Sequence, residues 1–287
     1  MGKILITGSS GQLGSYLIEN IPESIGMDMK ASQYTQLVWD LRKNPEEIMR
    51  NYEIDTIIHA AAQVSVVKSV EVPKFDAENN IMGTINLLEY ARKHDVEHFI
   101  YISSAAVYGE PKYLPIDEEH PTEPESPYGL SKLTGEKYTL LYHKLYGIKV
   151  ASVRPFNIFS PRQDPQNPYS GVISIFVERA KKGLPLIIYG DGEQTRDFVN
   201  IEDVVQLIKL IIEKEATGIY NCATGKETSI NELARIIKEL SQKSIEIIHD
   251  RPREGDIRRS YASIEKAKKL GYWPKTDLRE DIKYYFF

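Results

Sequence analysis

The chain has 287 residues, 41% hydrophobic and 27% charged, the balance of an ordinary soluble protein with room for one large or two modest domains. Its 36 basic and 41 acidic residues leave a net charge of −5, which argues against nucleic acid or an anionic membrane surface as partner. No stretch reaches the roughly 18 apolar residues that span a bilayer.

The N-terminus, "MGKILITG", runs directly into a strand-like segment, so no signal peptide is expected. Ile6 stands where a myristoylation motif needs Ser or Thr. The single cysteine, Cys222, excludes an internal disulfide and suits a reducing cytoplasm, where the chain is expected to reside.

In chain order, "KILIT" (3–7), "SIGM" (24–27), "TIIHA" (56–60), "HFIYI" (98–102) and "KVASV" (149–153) are apolar runs expected as buried strands. Helical patterns lie between them: one after Gly11, one from near Pro45, one over 79–94 and one over 128–146. Strand–helix alternation of this kind predicts an α/β fold, a doubly wound parallel sheet with helices on both faces. Beyond Arg154, "RPFNIFSPRQDPQNPYSG" (154–171) is rich in Pro, Asn and Gly and is expected as a long irregular loop. A helix from near Ile201, the run "GIYNCATG" and a strand in "SIEIIHD" complete a smaller mixed α/β unit, part of which returns to the first. The histidines of "HDVEH" (94–98) straddle a helix end and a strand start and are too few for a metal site, so no metal is expected.

Directly after the first strand, "TGSSGQLG" places Gly8, Gly11 and Gly14 in a G-x-x-G-x-x-G spacing. A tight strand-to-helix turn and close backbone approach to a pyrophosphate both need glycine, and the helix N-terminus adds free N–H groups. Asp28 follows Gly8 by twenty residues, where a carboxylate accepts from a ribose diol and repels a 2′-phosphate, favouring NAD over NADP. Further along, "SPYGLSK" puts Tyr128 and Lys132 four apart, on one helical face. An ammonium beside the phenol, with a positive nicotinamide ring, is expected to lower the tyrosine's pKa and make it a base. Ser104, at the end of the "HFIYI" strand, can share a proton with a substrate hydroxyl and that phenol. Cys222 is expected as a small buried residue.

A glycine-rich turn, a strand-end Ser and Tyr-x-x-x-Lys, in that order, resemble the short-chain dehydrogenase/reductase superfamily across nearly the full chain. "HAAAQVSVVKS", "ENNIMGTINLLE", "ISSAAVYGEP", "RPFNIFSPRQDP" and "YGDGEQTRDFVNIEDVV" are similar to its extended branch, which acts on nucleotide sugars. The resemblance implies a Rossmann-like NAD-binding domain of residues 1–155 plus about 196–220. A nucleotide-sugar-binding domain of about 156–195 plus 221–287 would complete it. It also implies a homodimer through helices around 80–93 and 128–146.

Residue by residue, the resemblance implies catalysis by Ser104, Tyr128 and Lys132. NAD would be held by Gly8, Gly11, Gln12, Leu13 and Gly14, by Asp28, by Asp40 and Leu41 of "WDLR", by Ala60, Ala61 and Ala62, and by Asn79 and Phe156, besides Tyr128 and Lys132. Phe156 alternatively reads as core. A UDP-sugar would be held by Ser104, Asn157, Tyr189, Arg196, Arg253, Asp256 and Ser260; an Arg fork suits phosphate oxygens. Ser260, being small, leaves volume for an acetamide, so N-acetylated sugars are expected to be accepted too.

In related dehydratases an Asp and a Glu follow the strand-end hydroxyl. Here those positions are Ala105 and Ala106, which cannot move a proton. The expectation is therefore a 4-epimerase working through a transient 4-keto sugar. The rivals are a dehydratase, decarboxylase or reductase of the same branch, and a non-catalytic NAD-binding regulator.

Overall fold

The computed structural model describes residues 3–163, 171–253 and 255–286. The apolar runs of the first half all become strands. β1 (Lys3–Thr7) is followed by helix α1 (Gln12–Asn20), β2 (Ile25–Asp28), a short β3 (Leu37–Val38), α2 (Glu46–Met49) and β4 (Ile54–His59). Next come α3 (Val66–Glu71) and α4 (Pro73–Ala77), split at Val72 because Pro73 has no N–H to continue the first helix. A π-helical turn, Glu78–Met82, leads into α5 (Gly83–Lys93), so the helix expected over 79–94 starts with a widened turn. β5 (His98–Ile102), α6 (Pro127–Tyr146) and β6 (Lys149–Pro155) complete this half.

The sheet has seven strands. Its order is β11-β6-β5-β4-β1-β2-β3, with β11 spanning Gly218–Cys222, and each neighbouring pair is parallel. Strand order reverses between β1 and β4. In open parallel sheets that reversal opens a crevice at the strands' carboxyl ends, where ligands bind. All five residues of β5 are buried, as a strand covered on both faces requires. One core cluster lies under α1, centred on Ile6, Ile58, Ile100 and Val153; a second, with Leu5, Ile57, Phe99 and Leu87, lies under α5 and α6.

The expected loop over 154–171 needs correction. β6 continues to Pro155, and β7 (Asn157–Phe159) pairs in parallel with β10 (Phe198–Asn200). A three-residue strand is too short for a periodic signal, so the prolines and asparagines around it dominate the sequence. Residues 164–170 of that segment lie outside the described residues. Between β7 and β10 stand α7 (Val172–Lys181), β8 (Leu186–Tyr189) and β9 (Thr195–Arg196).

Helix α8 (Ile201–Glu213) sends Val204, Val205, Leu207, Ile208 and Ile211 into the first core, so this part of the later sequence does return to the large sheet. The expected seam after residue 220 falls inside β11, which pairs along its whole length with β6. The remaining elements are β12 (Thr228–Ser229), α9 (Ile230–Ser241), β13 (Ile247–Asp250), which is parallel to β8, and the short helices α10 (Glu265–Lys269) and α11 (Leu278–Lys283). Together α7, α9, β13 and α11 enclose a third core around Phe176, Leu186, Phe198 and Leu233.

Candidate active site

A cleft of about 530 Å³ opens at the carboxyl ends of β1, β4 and β5. On its floor the glycine turn is packed backbone to backbone. A Cβ on Gly14 would come within 2.0 Å of the Gly8 carbonyl oxygen, and one on Gly8 within 2.7 Å of the Ala61 nitrogen. Gly8 also has φ +74, a conformation natural to glycine. Gly11 caps α1 with no side chain, and the first turn holds no acidic residue, so the positive helix end faces the cleft uncompensated.

The short second strand places Asp28 securely. Its carboxylate accepts from the Ser10 N–H at 3.0 Å and the Lys30 N–H at 2.9 Å while lining the cleft. Nearby, Asp40 and Leu41 line the same wall, but the Asp40 carboxylate is already held by Arg42, through Nε at 3.0 Å and Nη2 at 2.6 Å. That guanidinium pulls the Asp40 carboxyl below the usual range. On the opposite wall, Ala60, Ala61 and Ala62 follow β4. Their backbone is fixed by a buried chain in which Thr84 and Thr7 hydroxyls bond the two nitrogens of His59, and Thr7 Oγ1 accepts from the Ala61 N–H. Burial, with the Lys132 charge adding to it, pushes His59 down to about 3, so it is neutral at physiological pH.

Ser104, Tyr128 and Lys132 line the same cleft. Ser104 caps a 3₁₀ turn over Ala105–Val107 and accepts from the Ala106 N–H at 3.1 Å, which aims its hydroxyl and leaves its proton free to donate. The N-terminus of α6 packs on that turn. Gly129 permits this, since a Cβ there would lie 2.6 Å from the Ala106 carbonyl oxygen. Ser126 caps the helix by accepting from the Gly129 N–H, and Pro127 occupies its first turn. Lys132 is 3% exposed, with its ammonium 4.6 Å from the centre of the Tyr101 ring.

The expectation of a lowered phenol pKa is not met by the polypeptide alone. Packing around Tyr128 raises its pKa; the hydrogen bond with Ser104 works against that rise, and the Asp76 carboxylate adds to it. Burial brings Lys132 down to about 7, against the pull of Asp76 and Glu136. A lysine poised there is only partly charged at neutral pH, so its help to a tyrosinate is weaker than a surface ammonium's proximity suggests.

Asn79 and Phe156 also line the cleft. The Asn79 amide donates to the Phe75 carbonyl at 2.7 Å, and Phe156 is at once 6% exposed and part of the first core. Of the expected substrate residues, Asn157 lines the cleft with Ser104. Arg196 on β9, Asp256, Arg253 and Tyr189 on β8 do not line it: Arg196 is paired with Asp256, and the Arg253 guanidinium stacks 3.9 Å over the Tyr189 ring. Ser260 is 8% exposed and does not line the cleft, so the side-chain volume argument for an acetamide finds no support there. Glu254 of "RPREGD" lies outside the described residues.

Several cleft residues are not evident from spacing. Among the described residues, the buried Ser103 hydroxyl and the buried Trp39 indole N–H have no partner. Arg42 and Ser103 each adjoin a motif residue, which is the only signal that could have found them. Cys222 is fully buried, as expected.

A family model described as the NAD dependent epimerase/dehydratase family matches residues 4–223. The chain belongs to this family. Among epimerase/dehydratase relatives, the UDP-glucose 4-epimerase of Mycolicibacterium smegmatis is 33% identical, over 98% of this chain and 96% of its own. The crystal structure of UDP-glucose 4-epimerase with UDP-glucose from Thermotoga maritima is 34% identical with a TM-score of 0.93, covering 99% of this chain and 98% of that one. The crystal structure of the Thermus thermophilus UDP-glucose 4-epimerase complex with NAD is also 34% identical, with a TM-score of 0.91 and the same coverage.

Membership makes NAD the cofactor of this epimerase/dehydratase chain, and its residues fit the group. The side-chain-free cradle at Gly8 and Gly14, the uncapped N-terminus of α1, the cleft-lining acid at Asp28, suited to accept from a ribose diol, and the unpartnered Ser103 hydroxyl form a donor and acceptor set suited to a dinucleotide.

Proposed function

We propose that the chain interconverts UDP-glucose and UDP-galactose at sugar carbon 4, as a cytoplasmic homodimer with tightly held NAD. The observation that carries this reading is one cleft holding the glycine turn, Asp28, Ser104, Tyr128 and Lys132 together, with Ala105 and Ala106 where a dehydratase needs its acid and base. Bound NAD would supply the two-electron acceptor and donor for carbon 4. Tyr128 takes the proton of the carbon-4 hydroxyl and later returns it, and Ser104 hydrogen-bonds the reacting oxygen. Lys132 stabilises the phenolate. Arg196 and Arg253 anchor the nucleotide diphosphate, with Asp256 on the uridine ribose, while the oxidised sugar turns over to present its other face.

Residues 1–155 with about 196–220 would serve the cofactor and the remainder the nucleotide sugar. The homodimer reading is supported by an apolar face on the helices of the second core: Met82, Leu130, Leu141, Leu145 and Tyr146 are exposed. No described helix is long and apolar enough to cross a membrane.

The test is incubation of purified protein with UDP-glucose, UDP-N-acetylglucosamine or UDP-glucuronate, without added NAD, followed by proton NMR. The 4-epimer of UDP-glucose supports the reading. A 4-keto-6-deoxy sugar or a pentose overturns it in favour of a dehydratase or decarboxylase, and an unchanged sugar with NAD bound in favour of a regulator.

A further inference from the structure

Two buried carboxylates act on Lys132 by charge, and they differ in one respect. Glu136, one turn further along α6, is 1% exposed and neutralised by Arg154, which donates from Nη2 at 2.5 Å and Nε at 3.0 Å. Asp76, on α4, is also 1% exposed, but its hydrogen bonds among the described residues come from neutral amides alone: Gln63 Nε2 at 2.8 Å and Asn80 Nδ2 at 3.2 Å, both on Oδ1. Its Oδ2 is buried with no partner among those residues.

A buried, uncompensated carboxylate is costly, and folds keep one where a charge is needed. Asp76 is built into place. The Asn80 amide that holds it also donates to Ser131 Oγ at 3.0 Å, the residue next to Lys132, and to the Gln63 carbonyl. The Ser65 cap and the Ser69 hydroxyl, which accepts from the Tyr128 N–H at 3.1 Å, tie α3 into the same corner. The remaining groups facing Lys132 are neutral: Tyr128 on its own helix, His59 on β4 and the Tyr101 ring on β5.

We propose that Asp76 is a positioning residue of this site, its unpaired carboxylate serving as the counter-charge of the Lys132 ammonium. It touches neither the cleft nor a reacting atom; it acts through Lys132, and its catalytic consequence rests on the epimerase reading. With Glu136 already paired to Arg154, Asp76 is what sustains the lysine's charged fraction inside a buried corner.

The test labels lysine ε-carbons with carbon-13 and follows them by NMR through a pH titration, the Lys132 signal being the one absent from Lys132→Met. In the unaltered protein that signal is expected to titrate at about 7. In Asp76→Asn, which keeps shape and Oδ1 acceptance but removes charge, its midpoint moves to lower pH. Asp76→Leu gives the same displacement and serves if the amide variant does not fold. Ser131→Ala, which cuts the Asn80 tie to α6 without altering charge, leaves the midpoint in place. A folded Asp76 variant with an unmoved midpoint, or an equal move in Ser131→Ala, overturns the proposal.

A second readout is the pH–rate profile with UDP-glucose. Asp76 raises both Tyr128 and Lys132, so its loss shifts the acid and alkaline limbs together to lower pH, whereas a merely structural defect lowers the rate without moving them. If the unaltered protein turns over no nucleotide sugar, the epimerase reading fails while the lysine titration still decides the role of Asp76.

Discussion

Glu136 and Arg154 form a buried two-point ion pair that bolts the helix carrying Tyr128 and Lys132 to strand β6. Ser152 on the same strand donates to Glu136 Oε2 at 2.9 Å, and the Arg154 guanidinium lies 4.7 Å from the Tyr108 ring. Residues 128, 132 and 136 recur every four positions, so one helical face carries a proposed base, its ammonium and its anchor.

Removing one partner leaves the other charge buried and unpaired. Arg154→Met is expected to lose about 3–5 kcal/mol of stability in urea unfolding. The Glu136→Met, Arg154→Met double variant should recover a large part of that loss, because neither charge then remains buried alone.

Tyr128→Phe removes the hydroxyl while keeping the ring. We expect kcat for UDP-glucose epimerisation to fall by roughly 10²–10⁴, the usual worth of a positioned acid–base group. NAD content of the purified protein, read after acid release, should match that of the unaltered chain. Loss of cofactor together with activity would instead assign the hydroxyl a cofactor-binding role.

Gly14→Ala forces a methyl group to within 2.0 Å of the Gly8 carbonyl oxygen, a backbone atom that cannot yield without opening the turn. The expected cost is about 1–3 kcal/mol in stability. Retained NAD should fall in parallel, because the same displacement spoils the approach to the pyrophosphate.

Lys132 gives stability a pH dependence whose sign follows from burial. Its folded pKa, about 7, lies below the unfolded value, so between these the unfolded chain holds a proton that the folded chain has released. Stability from this group therefore rises with pH from about 7 towards the ordinary lysine range and is at its poorest below 7. Lys132→Met lacks this rise, so its stability relative to the unaltered chain should fall as the pH is raised from about 7. Paired urea titrations at several pH values measure it.

Much of the fold is readable because it is locally encoded. "HFIYI" is apolar throughout and becomes a strand buried on both faces, and the glycine triplet becomes a turn so tight that side chains are excluded. The weak run "SIGM" is legible only as a suggestion. It becomes a strand, and Asp28 is held at its end by amides from Ser10 and Lys30, contacts separated along the chain by 18 and 2 residues. Segment 154–171 reads wrongly as unbroken loop because β7 owes its existence to β10, some forty residues later, and no local pattern records that pairing.

Within the site the division is similar. Helical periodicity places Tyr128 and Lys132 on one face, and an apolar prelude places Ser104 at a strand end. Asp76 has no such signal, since "KFDAENN" reads as an ordinary polar helix start, and its burial depends on α4 packing against α6. The ionisation of Tyr128 is also beyond reach of the sequence. Spacing predicts an ammonium that lowers the phenol, but desolvation acts on both groups and raises the tyrosine while depressing the lysine.

By itself the sequence determined the alternation of strands and helices, the glycine turn and the one-face pairing of tyrosine and lysine, because each depends on neighbours within a turn or two of chain, while the missing acid and base at Ala105 and Ala106 are read only through the family resemblance. Only the tertiary structure decided which strand ends meet at the reversal between β1 and β4, that Arg196 is paired to Asp256, and which carboxylate beside Lys132 is left uncompensated. Those outcomes are set by burial and by contacts between distant segments. Charge energies depend on the water removed around a group, which no stretch of sequence carries alone.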